Sequence, residues 1–316
     1  MTIKKKISPF LILRLLGIAL FVFILFRIDF GEMLGELKQL DVRYFLWGIF
    51  FQVLVLSFKG IRWHVMNDGR SASPFWIRSF GRFFESYAIG VVTPGRLGEL
   101  LKAGHEHNRN EKANSFIRVV SERGFDVSIF VLIAVAALFF GQFIQIENMS
   151  KWLFLMLGCV LLLVSFLLLS SQKSLAILQK IMRRLPGKFS QIDIKGKQYR
   201  KGTVMIVFLF SLLSNASYFV SCYFLALSVN LSIPLIDVSA GVAIAGLLNM
   251  LPVTIMGLGT RELIFLSVFS SLPSASVLAF SITILLVAQF GGGLLSLLLG
   301  QIFLFIDRKN IRKANK

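Results

Sequence analysis

Three short stretches of an otherwise apolar chain carry the residues that could do chemistry. "TPGRLGELLKAG" (93–104) holds Arg96, Glu99 and Lys102; "SERGFD" (121–126) holds Glu122, Arg123 and Asp126; "MGLGTREL" (256–263) holds Arg261 and Glu262. The first and third stretches also contain helix breakers, Pro94, Gly95 and Gly98 in one and Gly257 and Gly259 in the other, with Pro252 just upstream. A broken helix exposes backbone N–H groups with partial positive charge, and glycine lets a ligand approach them closely. An arginine beside such an end adds a full charge and a planar fork. The chemistry this favours is recognition of an anionic group such as a phosphate. Nearby carboxylates would pair with the arginines when the pocket is empty, or bind a cationic headgroup.

Each stretch also has a plainer reading. Arg96, Glu99 and Lys102 could be solvated charges at a cytoplasmic helix end. Glu122 and Arg123 could snorkel to an interface, although Asp126 is too short to reach far. Arg261 and Glu262 could be a structural ion pair holding a hairpin. Arg62 and Glu85 are plausible partners of the site but read first as structural, and Asn249 as a residue that satisfies backbone groups freed by the second break.

The elements that must position these residues are membrane helices. Of the 316 residues, 56% are hydrophobic and only 16% charged, and several apolar runs reach the roughly 20 residues that span a bilayer. The net charge of +18 does not indicate a nucleic-acid partner, because the basic residues cluster between apolar runs. Cys159 and Cys222 lie inside such runs, so no disulfide framework or zinc site is expected. His105 and His107, two residues apart, do not share a helix face, and neither a metal nor a cofactor is expected. No GxxxxGK[ST] motif occurs, so ATP is not an expected energy source.

Full spans are expected at 9–27, 45–65, 117–143, 151–170, 203–228 and 276–306. The first is read as an uncleaved span rather than a cleavable signal, since no small-residue cleavage site follows it. Met33, Leu34, Leu37 and Leu40 predict a short amphipathic helix on the membrane surface. Segments 74–103 and 237–272 are too polar and too broken to cross. Each is expected to be a re-entrant helical hairpin, whose irregular backbone is tolerated only where it is buried or lines a wet cavity. In the loop 171–202, Leu178, Ile181, Met182 and Leu185 oppose Lys180, Arg183 and Arg184, which predicts an interfacial helix against anionic headgroups. Gly291–Gly293 would kink the last span or allow close packing.

Twenty-nine of the 34 Lys and Arg residues fall at the two ends, in 59–123 and in 171–202; only Arg27, Lys38, Arg43, Lys151 and Arg261 fall on the other side. Both termini are therefore expected in the cytoplasm. The order span, span, hairpin, span then occurs twice, in 1–145 and 146–316, with opposite orientation. The expected fold is an all-α polytopic membrane protein: one membrane domain over 1–316, about six full spans, two re-entrant hairpins and an inverted-topology repeat. In such repeats the site lies near the midplane, between the broken helices. Arg96 and Arg261 are expected to approach one shared polar cavity.

Taken in order, "TPGRLGE..K", "SERGFD" and "LP.T.MGLGTRE" resemble the lysylphosphatidylglycerol synthase transmembrane region, also called the flippase-like or UPF0104 family. The resemblance covers essentially the whole chain. In bifunctional members a soluble aminoacyl-transferase domain follows; none follows in these 316 residues. The resemblance therefore implies lipid handling and gives no support for lysyl transfer. The expectation is a non-enzymatic inner-membrane translocase moving a polar or anionic lipid headgroup between leaflets. Its substrate residues would be Arg96, Glu99, Lys102, Glu122, Arg123, Asp126, Arg261 and Glu262, and its partners membrane phospholipid or a lipid-linked substrate. The alternative is a non-transporting partner that scaffolds an envelope-lipid enzyme. An intramembrane enzyme acting on lipid phosphate ranks below both, for lack of a metal cluster or a nucleophile–base pair.

Overall fold

The computed structural model describes residues 30–67, 75–104, 109–143, 148–171, 173–174, 176–177, 179–180, 199–250, 254 and 256–314. The expected first span, His105, His107, Pro252 and most of the basic stripe (Leu178, Ile181, Met182, Arg183, Arg184, Leu185) lie outside the described residues.

In chain order the elements are α1 (Phe30–Lys38), α2 (Val42–Met66), α3 (Phe75–Val92), a tightly wound segment Pro94–Leu100, α4 (Leu101–Gly104), α5 (Arg109–Phe140), α6 (Asn148–Ser170) and α7 (Lys201–Ser228). They continue with α8 (Leu235–Asn249), α9 (Thr260–Val268), α10 (Ser274–Ile284), a π-wound segment Leu285–Gly291 and α11 (Gly292–Ala314). The described residues contain no strand. Five helical stretches are long and apolar enough to cross a membrane: Val42–Met66, Ser115–Phe140, Trp152–Ser170, Lys201–Ser228 and the continuous Ser274–Asn310. The protein is a multi-pass membrane protein. Neither α3 nor α8 is among these five.

Small residues fix the packing, as expected where lipid supplies no hydrophobic force between helices. The α2–α7 pair is close because a Cβ on Gly48 would lie 2.6 Å from Leu225, and Ser221 Oγ donates to the Gly48 carbonyl at 2.7 Å. On the α5–α6 face, a Cβ on Gly124 would lie 2.1 Å from Ser165 Oγ. Two further pairings cross the chain: α3 packs on α11, and α8 packs on α5. The first carries an ion pair at one end, Arg78 to Asp307 at 3.0 Å. The largest apolar core lies among α5, α7, α8, α9 and α10, where Phe265 stacks on Phe280 with ring centroids 5.1 Å apart. By contrast α6 turns Trp152, Leu153, Met156 and Val160 outward.

One sequence expectation changes here and another is sharpened. The amphipathic segment α1 turns most of its apolar stripe to protein, with Leu34 left exposed. Met33 is buried in the core, Leu37 and Leu40 pack against it, and Glu36 accepts from Ser276 Oγ at 3.2 Å. The start of α10 offers a protein surface that buries the stripe instead. At the glycines of the last span the close-packing alternative agrees with the structure. The chain stays helical but widens to π winding immediately before Gly292, where a Cβ would come within 3.2 Å of Gln52 Nε2.

Candidate functional site

The first break is built by a left-handed pair. Gly95 has φ 60 and ψ 15, and Arg96 has φ 53 and ψ 34. This turns the chain back so that Gly98 rides on the end of α3: a Cβ there would lie 2.6 Å from the Ile89 carbonyl carbon. Only glycine permits that approach. Thr93 ties the turn together, its hydroxyl donating to Gly90 O (3.0 Å) and accepting from the Gly98 N–H (2.7 Å).

Behind this turn is a buried charge network. Arg62 on α2 binds Asp126 with both terminal nitrogens (2.8 and 3.3 Å), Glu122 through Nε (3.3 Å) and Ser211 Oγ (2.9 Å). Asn215 donates to Asp126 at 2.9 Å, and Lys59 lies 3.8 Å from it. Lys102 is 1% exposed; it pairs with Glu122 (3.1 Å) and Glu99 (3.6 Å) and sits over the rings of Trp63 and Phe83. Glu99 is held by Arg123 at 3.0 Å, and Arg96 is 3.8 Å from it. Arg123 also donates to the Arg96 carbonyl (3.3 Å), while the Arg96 guanidinium lies over Tyr87 and reaches Gln289 at 3.4 Å.

The spacing explains how one helix serves so much of this network. Glu122 and Asp126 are four residues apart and share a face of α5, both reaching Arg62, while Arg123 turns toward the first break. Five cations (Lys59, Arg62, Arg96, Lys102, Arg123) meet three carboxylates (Glu99, Glu122, Asp126) among the described residues. The cluster therefore carries a surplus of two positive charges.

That surplus borders a partly open cavity with room for water over about 70 Å³. Lys59, Arg96, Arg123 and Asp126 face it from one side; Asn249, Thr254, Met256 and Gly257 of the second break, with Gln289 of the π-wound segment, face it from the other. Asn215 and Tyr218 of α7 complete a polar wall. Glu99, Lys102 and Glu122 are buried behind these residues.

The second break also uses left-handed residues: Met256 (φ 55), Gly257 (φ 76) and Gly259 (φ 83). Gly257 presses on Asn249, whose side chain would lie 2.5 Å from any Cβ there. Past it, Glu262 Oε2 accepts from the Gly259 N–H (2.7 Å) and so caps α9. Its other oxygen takes Arg261 Nη2 (2.6 Å) and Ser281 Oγ (2.6 Å), and Arg261 Nε donates to the same Ser281 oxygen (2.7 Å). Arg261 and Glu262 are both buried, and neither lines the cavity.

Of the residues singled out from sequence, then, Arg96, Arg123, Asp126, Gly95 and Gly257 line the cavity. Glu99, Lys102 and Glu122 support it, Pro94, Gly98 and Gly259 shape the breaks, and Arg261 with Glu262 forms a separate pair. Arg62, Lys59, Asn215 and Gln289 were missed as site residues. A signal existed for two of them: Arg62 stands one turn from Lys59 near the end of an apolar span, where each charge needs a partner. Among the described residues no cluster of His, Cys, Asp and Glu could hold a metal ion. Residues 11–296 match the family model described as "Lysylphosphatidylglycerol synthase TM region". No curated protein matches the chain.

Proposed function

Because the chain belongs to the lysylphosphatidylglycerol synthase transmembrane-region family, a membrane domain associated with lipid handling, we propose that it is a lipid translocase for an anionic, phosphate-bearing headgroup. The observation that carries this reading is the surplus of two cations beside a cavity among membrane-spanning helices. A bare charge at the bilayer centre costs at least about 3 kcal/mol, so the surplus favours an anion or water in the cavity. A phosphate offers oxygens to the forks of Arg96 and Arg123 and charge to Lys59. A headgroup with a net positive charge gains nothing there.

The two halves act as an inverted repeat around this cavity. Exchanging them maps α2 onto α7, α3 onto α8, and α5 onto α10–α11. Under that exchange the α2–α7 contact maps onto itself and the α3–α11 contact onto α8–α5. The left-handed residues in both breaks support the same relation. Segments 74–103 and 237–272 serve as re-entrant hairpins, and the protein sits in the inner membrane with both termini in the cytoplasm. Lys59, Arg62, Arg96, Lys102 and Arg123 face the interior, so they drop out of the basic count for loops; the remaining bias keeps its direction. No bond is made or broken in this role, and the carboxylates hold the cations when no headgroup is bound.

The test is purified protein in vesicles, with leaflet-specific quenching of a fluorescent phosphatidylglycerol and of a fluorescent phosphatidylcholine. Phosphatidylglycerol should exchange leaflets much faster than in protein-free vesicles, and Arg123→Gln should remove most of the gain. Exchange no faster than in empty vesicles for both lipids would overturn the translocase reading and leave a scaffold role.

A further inference from the structure

The polar cavity has a second, apolar space attached to it. A cleft of about 250 Å³ runs between the Pro94–Leu100 segment and α5, lined on its apolar side by Leu97, Leu100, Val119, Val120 and Met250. It shares Gly95, Arg96, Arg123 and Met250 with the cavity, so the two spaces meet at the two arginines. Glu99 also lines the cleft, 3.0 Å from Arg123 and 3.8 Å from Arg96, and an entering phosphate would compete with it for both. Leu97 and Leu100 are 54% and 37% exposed, which places greasy side chains at the outer rim. The contact between Arg123 and the Arg96 carbonyl lies at the junction.

We propose that this cleft is the lateral entry for the lipid: the acyl chains lie against Leu97, Val119 and Val120 while the phosphate is handed to Arg96 and Arg123 at the junction. This rests on the translocase reading above and adds where the substrate enters and how its two chemistries are divided. The division follows from solvation. A phosphate drawn alone into the cavity would need its tails to cross polar surface, whereas a cleft apolar on one wall and cationic at its inner end keeps both parts of a phospholipid matched along one path. The left-handed turn at Gly95–Arg96 gives the cleft its wall. It swings Leu97 and Leu100 outward while keeping the Arg96 carbonyl under Arg123. A free phosphate ion would have no use for the apolar wall.

The experiment uses the full chain in vesicles of equal phosphatidylglycerol and phosphatidylcholine, with a benzophenone amino acid replacing Leu97, Val120 or, as the lipid-facing reference, Leu153. After illumination the captured lipids are identified by mass spectrometry. Positions 97 and 120 should capture phosphatidylglycerol several-fold in excess over phosphatidylcholine, position 153 should capture both equally, and Arg123→Gln should remove the excess. An equal ratio at all three positions would overturn the entry site, whatever the translocation rate. In parallel, Val120→Trp should slow phosphatidylglycerol exchange several-fold while the melting temperature holds. Unchanged exchange in a folded Val120→Trp protein would move the entry elsewhere and leave the translocase intact. Loss of exchange in the unmodified protein would remove the translocase, with the capture ratio still deciding whether the cleft binds anionic lipid.

Discussion

At the first break Arg96 stands 3.8 Å from its neighbour Glu99 and stretches across to Gln289; at the second, Arg261 grips its neighbour Glu262 at 2.6 Å and shares Ser281 with it. Both stretches have left-handed backbone, glycines, an arginine and a glutamate. What differs is the partner count. Glu99 is claimed by Arg96, Lys102 and Arg123, so no single cation is neutralised by it. Glu262 serves one cation and one helix cap. The same short motif therefore builds a charged, cavity-facing site in one half and a neutral, sealed joint in the other. Function is decided by what surrounds a motif in space.

The largest expected effect on stability tests the network behind the first break. Arg62→Ala removes the one cation that joins Glu122 to Asp126. Breaking a buried pair from one side typically costs about 3–5 kcal/mol, and here Glu122 would keep Lys102 while Asp126 would keep only Asn215 and the more distant Lys59. The variant should lose a large part of its cooperative thermal transition in detergent. Asp126→Asn in the same background should recover some of it by removing the carboxylate that lost its two closest ionic contacts. An Arg62→Ala protein that melts like the parent would mean the network is hydrated and loosely held, and the contrast with the second break would weaken.

Next in size is Glu262→Gln, which strands Arg261 and weakens the cap of α9; a loss of about 3 kcal/mol is expected. The paired change Arg261→Met with Glu262→Met should recover most of that, since apolar residues can replace a buried ion pair at little cost. The paired variant should also translocate lipid at close to the parental rate, because neither side chain lines the cavity. Abolished translocation in a stable paired variant would make the second break part of the headgroup site.

How much of this was legible beforehand follows from the same contrast. Period and length revealed five of the expected spans, because a bilayer sets how many apolar residues a crossing needs; the expected span at 9–27 lies outside the described residues. Proline and glycine in polar company revealed both breaks. Asp126 stood out as a short acid inside a span, four residues after Glu122. The sequence could not show that Arg261 turns to Ser281, nineteen positions beyond its own Glu262 partner, since that depends on how α10 packs on α9. Nor could it show that Arg62 and Asn215, from different spans, converge on Asp126. Local spacing reports which residues share a face; it does not report which face meets which. The apolar stripe of α1 taught the same lesson, since amphipathicity named a buried side and not the partner that buries it.

A smaller effect is expected at Gly257. Alanine there must hold φ near 76 and place its Cβ about 2.5 Å from the Asn249 amide. Left-handed strain at a non-glycine residue costs of order 1–3 kcal/mol. Gly257→Ala should lower the melting temperature modestly and, because Asn249 and Gly257 both line the cavity, slow translocation as well. Asn249→Ala combined with Gly257→Ala should relieve the clash while leaving the backbone strain. Full recovery in the double variant would show that crowding, and not the left-handed turn, makes glycine necessary there.

The smallest change in stability, with a large change in activity, is expected at Arg96. This residue holds φ 53, a conformation that costs an ordinary side chain roughly 1–2 kcal/mol. Arg96→Gly removes that strain but also makes the unfolded chain more flexible, so the net effect on stability should stay within about 1 kcal/mol. Translocation of phosphatidylglycerol should nonetheless fall to near background, since the guanidinium that faces the cavity is gone. Arg96→Lys keeps the strain and the charge but loses the planar fork, so it should retain an intermediate rate. The order parent, lysine, glycine in activity, set against nearly flat melting temperatures, would separate a headgroup-binding arginine from a structural one. If Arg96→Gly translocates like the parent while Glu262→Gln does not, the assignment of the open site to the first break and the sealed joint to the second is reversed.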